Sequence, residues 1–182
     1  MSKDVWLNAN EKTAGDLILT GYVGEFKDMP VYDEVMSLVG NGDRALDFGC
    51  GVGRNTVEIS KLYSTTYGFD LSSMISLVPD QNKTPNITYT SDWDSIKDFS
   101  FDCVLASLVF QHIDDKELDL YLQDLNKMTN KLIVHSRTWI DHSGSQVLPA
   151  IEKYFILSSI DHTRDPNNPI DDHFIATFES RR

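Results

Sequence analysis

Three glycines at alternate positions, Gly49, Gly51 and Gly53, follow an apolar run in "RALDFGCGVGRNT". A tight turn uses one or two glycines, so three predict main chain lying directly against a ligand. Asp47 interrupts the apolar run. If buried it needs a partner, either the amides of the glycine loop or a cationic group of the ligand. Asp70 closes the next apolar segment, "STTYGFD", where a carboxylate can accept hydrogen bonds from two neighbouring hydroxyls. The alternative for Asp70 is a helix N-cap before "LSSM", a job Ser72 can also do. The spacing is not the dinucleotide fingerprint: from Gly51 onward the third glycine of GxGxxG is replaced by Thr56. Nor is it a P-loop, because no GK[ST] follows Gly53 and no lysine is there to hold phosphates.

The elements that must position these residues follow from periodicity. "PVYDEVMSLVG" is a helix with Val31, Val35, Leu38 and Val39 on one face, stopped by Gly40. "RALDF" is the first strand, "RNTVEISKLY" a helix, "STTYGFD" a strand, "LSSMISLV" a short helix and "NITYT" a third strand, and "FDCVLASLVF" begins as a buried fourth. "DDKELDLYLQDLNKM" carries Leu118, Tyr121, Leu122 and Leu125 on one helical face, capped by Asp114 or Asp115. "KLIVHS" is a strand and "SQVLPAIEKY" a helix. "FILSSIDHTR" and "HFIATFES" are final strands around the turn-rich "DPNNPIDD", expected to pair antiparallel for want of a helix between them. Alternating strands and helices imply a doubly wound α/β sheet that binds its ligand beyond the carboxyl ends of the strands. The glycine stretch lies at that edge.

Composition narrows the function. The 182 residues suffice for one domain, and 41% are apolar. The net charge of −12, from 28 acidic and 16 basic residues, disfavours nucleic acid and anionic membranes as partners. The two cysteines, Cys50 and Cys103, sit in apolar segments without CxxC spacing, which predicts a reducing compartment and no disulfide framework. No secretory signal opens the chain, and its longest apolar stretch is too short to span a bilayer. The expected location is cytoplasmic.

In four segments taken in order, the sequence resembles the class I S-adenosylmethionine-dependent methyltransferases, especially their small-molecule branch. "ALDFGCGVGRNT" is similar to that family's first motif and "YGFDLSSMI" to its second. "SDWDSI" fits the position of its adenine-contacting acid, and "FDCVLASLVFQHI" its fourth-strand motif. The resemblance covers about residues 40 to 180. It implies a Rossmann-like, mostly parallel seven-stranded sheet with an antiparallel last strand. Residues 41–182 are then the core and residues 1–40 a helical lid. The implied cofactor is S-adenosyl-L-methionine, leaving as S-adenosyl-L-homocysteine. On that reading Gly49, Cys50, Gly51 and Gly53 carry the backbone against it, and Asp70 takes the ribose hydroxyls. Leu71 and Met74 line the apolar side of the adenosine pocket, though both are also ordinary core residues. Asp92 accepts from the adenine amino group and Trp93 packs on the ring, the alternative being a surface acid beside a core tryptophan. Asp47 meets the ammonium group, and Ser107 faces the methionine portion. Arg54 is either a carboxylate partner or a solvated helix start.

Methyl transfer is an in-line displacement in which positioning supplies much of the acceleration, with a base needed where the attacking atom carries a proton. No [DN]PP[YFW] segment follows the fourth strand, so the acceptor is not expected to be a nucleic-acid base. The five histidines show no ligand spacing, and no metal is expected. His112, in "VFQHI", is the candidate base by resemblance, with packing against a helix start as the alternative. His135, Arg137 and Trp139 are candidates to touch the acceptor, although His135 reads first as a satisfied core histidine and Trp139 equally as a core cap. Tyr22 and Phe26 are candidates to close over the cleft. The connections "QHIDDK" and "RTWIDHSGS" are short, which keeps a protein or peptide acceptor open beside a small molecule. The expected assembly is a monomer or homodimer. Two rival readings stand: a catalytically silent cofactor-binding subunit, and an NAD-dependent oxidoreductase.

Overall fold

A computed structural model describes residues 6–10, 31–137, 144–165 and 168–182; for residues 137, 144–146, 162–165 and 168–172 it describes the backbone alone. The elements run α1 (Asp33–Val39), β1 (Gly42–Phe48), α2 (Arg54–Ser60), β2 (Tyr63–Phe69), α3 (Ser72–Ile75), β3 (Ile87–Thr90), β4 (Cys103–Ser107), α4 (Asp115–Met128), β5 (Lys131–Arg137), α5 (Gly144–Glu152), β6 (Phe155–Asp165) and β7 (Asn168–Ser180). The seven strands form one sheet in the order β3-β2-β1-β4-β5-β7-β6. β1 to β5 pair in parallel, and β7 runs antiparallel to both β5 and β6. The strand order reverses between β1 and β4, so their carboxyl ends diverge and open a crevice there.

Alternation along the central strands divides the core into two layers. Ala45, Cys103, Leu105, Ile133 and Ile175 face α1 and α2, where they join Val35, Val39 and Ile59. Leu46, Phe48, Val104, Ala106, Leu132 and Val134 face α4 and α5, where Leu118, Leu122, Leu125 and Val147 cover them. Both faces of β4 are buried, which is why its sequence is continuously apolar. Asp114 caps α4, its carboxylate accepting from Lys116 and Glu117 N–H. Helix α1 ends at Gly40, and the Lys131 ammonium donates to the carbonyls of Leu38 and Val39 at 2.6 and 3.3 Å. This helix therefore belongs to the sheet's covering layer rather than to a lid, a difference from the boundary drawn at residue 40.

β4 ends at Ser107, where Leu108 adopts φ 56° and donates its N–H to His135 O at 2.7 Å. One further difference bears on the site. The turn-rich segment is mostly strand: β6 and β7 run on until only residues 166–167 separate them. β5 ends at Arg137 opposite His173. The parts of β6 and β7 beyond that pair therefore project past the edge where the parallel strands present their carboxyl ends.

Candidate functional site

Past β1 the chain folds back on the end of β2. Gly49 and Cys50 both donate to Phe69 O, at 2.7 and 3.0 Å, and Gly53 N–H closes a turn onto Cys50 O at 2.9 Å. Asp70 locks the loop: Oδ2 accepts from Gly51 N–H at 2.7 Å and Oδ1 from Leu71 N–H at 2.6 Å. Burial pushes the Asp70 carboxyl up to about 6, and the two amide hydrogen bonds oppose that shift. Asp70 is thus neither a helix cap nor a free acid but a brace for the glycine loop, with lone pairs remaining on each oxygen.

The three glycines do different work. All have positive φ, yet a side chain at Gly49 would overlap Val109 and one at Gly53 would overlap the Tyr89 ring. At Gly51 an added Cβ meets no atom of the described residues within 4 Å. Two of the glycines are therefore required by packing of the protein on itself. Only Gly51 presents a bare edge to the crevice.

Beneath the loop, Asp47 is 1% exposed. Its Oδ2 accepts from the Thr56 hydroxyl at 2.6 Å, while Oδ1 has no hydrogen-bond partner among the described residues. Burial pushes its carboxyl up to about 7, with Asp70 adding to the shift and the Thr56 hydrogen bond and Arg54 opposing it. Thr56, where a dinucleotide fold would want glycine, instead holds this acid. The Cys50 thiol is held well above its usual range, by burial first and then by the two acids, so it is inert packing of the loop. Arg54 is also desolvated, with Tyr32 and Asp47 as its electrostatic neighbours.

The remaining candidates divide. Met74 is buried with Val52 under Trp6, and Leu71 contributes backbone to Asp70. Asp92 is exposed at the end of β3, where Oδ1 accepts from Asp94 N–H and caps a short turn. Trp93 stands perpendicular to Phe48 and Tyr121, with ring centroids 5.6 and 5.0 Å away, and donates Nε1–H to Asp124. These contacts pack it against the α4 layer. His112 lies in the turn after β4, its ring 5.6 Å from Trp6. Ser107, at the mouth of the crevice, bonds His135 Nδ1 at 3.1 Å. His135 itself is buried, 1% exposed. Arg137 is described only as the last backbone position of β5, and Tyr22, Phe26 and Trp139 lie outside the described residues. No group of three His, Cys, Asp or Glu is placed to hold a metal ion among the described residues, and none of their helices is long and apolar enough to cross a membrane.

Two contributors were not found from the sequence. Trp6 packs against Val52, Met74 and His112, and its carbonyl accepts from Ser73, so this one side chain links the glycine loop to the β4 turn. Its buried Nε1–H has no partner among the described residues. His173 pairs with His135, and only the β5–β7 register could have revealed that contact.

A methyltransferase-domain family profile matches residues 46–131. Among solved structures, the chain is similar to the N-methyltransferase NodS from Bradyrhizobium japonicum in complex with S-adenosylhomocysteine. That match has a TM-score of 0.73 at 14% identity and covers 96% of this chain and 100% of that one. A TehB-like methyltransferase from Corynebacterium glutamicum matches with a TM-score of 0.67 at 17% identity, covering 85% and 90%. Magnesium protoporphyrin IX methyltransferase from Synechocystis with bound S-adenosylmethionine gives 0.59 at 16%, covering 77% and 71%. No curated protein sequence matches the chain.

Proposed function

We infer that this chain is a class I S-adenosylmethionine-dependent methyltransferase that passes a methyl group directly to an oxygen or nitrogen of a small molecule, a reading supported by the methyltransferase-domain match and the shared fold. The cofactor, when bound, supplies that methyl on a sulfonium sulfur and leaves as S-adenosylhomocysteine. The residues present fit it. Gly51 offers a backbone edge on which an added Cβ meets none of the described residues, and Asp70 beside it keeps acceptor capacity for a diol. Two of the buried groups without a hydrogen-bond partner among the described residues are an acceptor, Asp47 Oδ1, and a donor, Trp6 Nε1–H. An amino-acid end, with ammonium and carboxylate, complements that pair. A pyrophosphate over the buried Asp47 carboxylate would be repelled, which counts against the dinucleotide reading.

Trp6 is the observation that favours a small acceptor. By bridging Val52, Met74 and His112 it narrows the mouth of the crevice where a bulky chain would have to enter. The net charge of −12 disfavours nucleic acid, and the protoporphyrin enzyme among the neighbours acts on a small molecule. His112, half-buried on Trp6, is the base candidate nearest that mouth. The acceptor is to be sought by incubating enzyme and cofactor with metabolite pools and scanning for compounds that gain one methylene in mass. A methylated small molecule supports the reading. Methylation confined to proteins would replace it with the peptide alternative, and cofactor binding without any product would mark a silent subunit.

A further inference from the structure

We propose that Ser107, His135 and His173 form a proton relay that carries the acceptor's proton from the crevice into the sheet, with His173 as its resting place. The three residues sit on adjacent strands β4, β5 and β7, on the face that packs against α1 and α2. Ser107 Oγ lies 3.1 Å from His135 Nδ1, and His135 Nε2 lies 2.8 Å from His173 Nδ1. Ser107 is half-buried at the crevice, whereas His135 and His173 are 1% and 3% exposed. The serine hydroxyl is therefore the end of the chain that meets the crevice.

The chemistry follows from the contacts. An N···N hydrogen bond between two imidazoles holds one hydrogen, so the tautomer of one ring sets that of the other. With both rings neutral, one arrangement has the Ser107 O–H donating to His135 Nδ1 and His135 Nε2–H donating to His173 Nδ1. When the attacking atom of the acceptor gives up its proton to Ser107 Oγ, the serine proton moves to His135 Nδ1. The Nε2 proton then moves to His173 Nδ1. The acceptor has lost one proton, Ser107 and His135 are again neutral, and His173 is an imidazolium that returns the proton after product leaves. The Tyr32 ring stands edge-on to His135 at 4.6 Å and 6.2 Å from His173. Asp47 and Arg54 lie on the same side of the sheet, and Arg137 and Thr163 occupy the register positions opposite His173. Two imidazoles among Leu105, Ile133 and Ile175 would be a costly way to fill an apolar layer.

This proposal rests on the methyl-transfer reading of the crevice, and its test separates the two. Long-range 15N–1H spectra of the full chain labelled in histidine report the tautomer of each ring without cofactor or acceptor. Ser107→Ala is expected to change the nitrogen shifts of His135 and, one strand further, of His173. An unaltered His173 would overturn the relay. His173→Asn keeps a hydrogen-bonding group near the Nδ1 position but cannot store the proton. With the acceptor in hand, it should lower kcat at least tenfold, leave acceptor KM and S-adenosylhomocysteine affinity within twofold, and abolish the solvent isotope effect on kcat. The double variant should be no slower than either single one. Turnover of His173→Asn at the wild-type rate would overturn the proposal. Failure of the wild type to bind S-adenosylhomocysteine would sink the methyl-transfer reading while leaving the spectra to judge the chain of hydrogen bonds.

Discussion

Replacing Gly51 by alanine separates what the glycine loop does for the fold from what it does for the ligand. Gly51 has φ 57°, and alanine there costs about 1–2 kcal/mol of backbone strain. At roughly 2–4 °C per kcal/mol for a chain of this size, the melting temperature should fall by about 2–8 °C. No atom of the described residues lies within 4 Å of the added Cβ, so they add no steric cost to this. A ligand seated on that edge would meet the methyl, an overpacking worth about 1–3 kcal/mol, or about five- to 150-fold in affinity. The assay is thermal unfolding with and without S-adenosylhomocysteine. At one hundred times its dissociation constant, ligand should stabilise the wild type by about 2.7 kcal/mol. If affinity falls ten- to one-hundredfold, the variant at the same concentration keeps about 0.4–1.4 kcal/mol of that gain. Gly49→Ala and Gly53→Ala should behave otherwise, losing more stability of the unliganded protein because their Cβ atoms run into Val109 and Tyr89. If Gly51→Ala kept the full ligand-induced gain, or lost as much stability as its two neighbours, the assignment of Gly51 as the ligand-facing edge would be wrong.

Asp70→Ala leaves the Gly51 and Leu71 amides unpaired and removes the ribose acceptor, so S-adenosylhomocysteine affinity should drop by about 1–3 kcal/mol in a calorimetric titration; unchanged affinity would refute the brace-and-acceptor role. Asp47 titrates at about 7 in the unliganded protein, above its unfolded value, so its contribution favours the folded state at low pH and is lost as pH rises from about 4 through 7. A ligand ammonium beside it would favour the ionised form, making binding expel a proton, and affinity should strengthen between pH 5.5 and 7.5. Equal heats in buffers of different ionisation enthalpy across that range would show that no such proton leaves.

Much of the scaffold was legible because single residues settle it. Gly40 ends α1, Asp114 caps α4, and the apolar run of β4 announces a strand buried on both faces. The glycine loop and Asp70 declared themselves by type and spacing. Their division of labour did not, because the overlaps at Gly49 and Gly53 come from Val109 and Tyr89, distant in sequence. The β6–β7 arm was obscured by its own composition: Pro, Asn and Asp signal turns, yet pairing between the two long strands overrides that local preference. With the register hidden, the meeting of His173 with His135 could not be read. Trp6 was missed for a related reason, since its contacts with Val52 and Met74 span more than forty positions and leave no periodic trace.

The account turns on whether the crevice between the glycine loop and the β4 turn holds an S-adenosyl nucleoside. Isothermal titration of the purified chain with S-adenosylhomocysteine, and separately with NAD, asks this directly. One molecule of S-adenosylhomocysteine should bind per chain, and NAD should give no saturable heat. A chain that bound NAD, or that bound neither compound, would contradict the assignment.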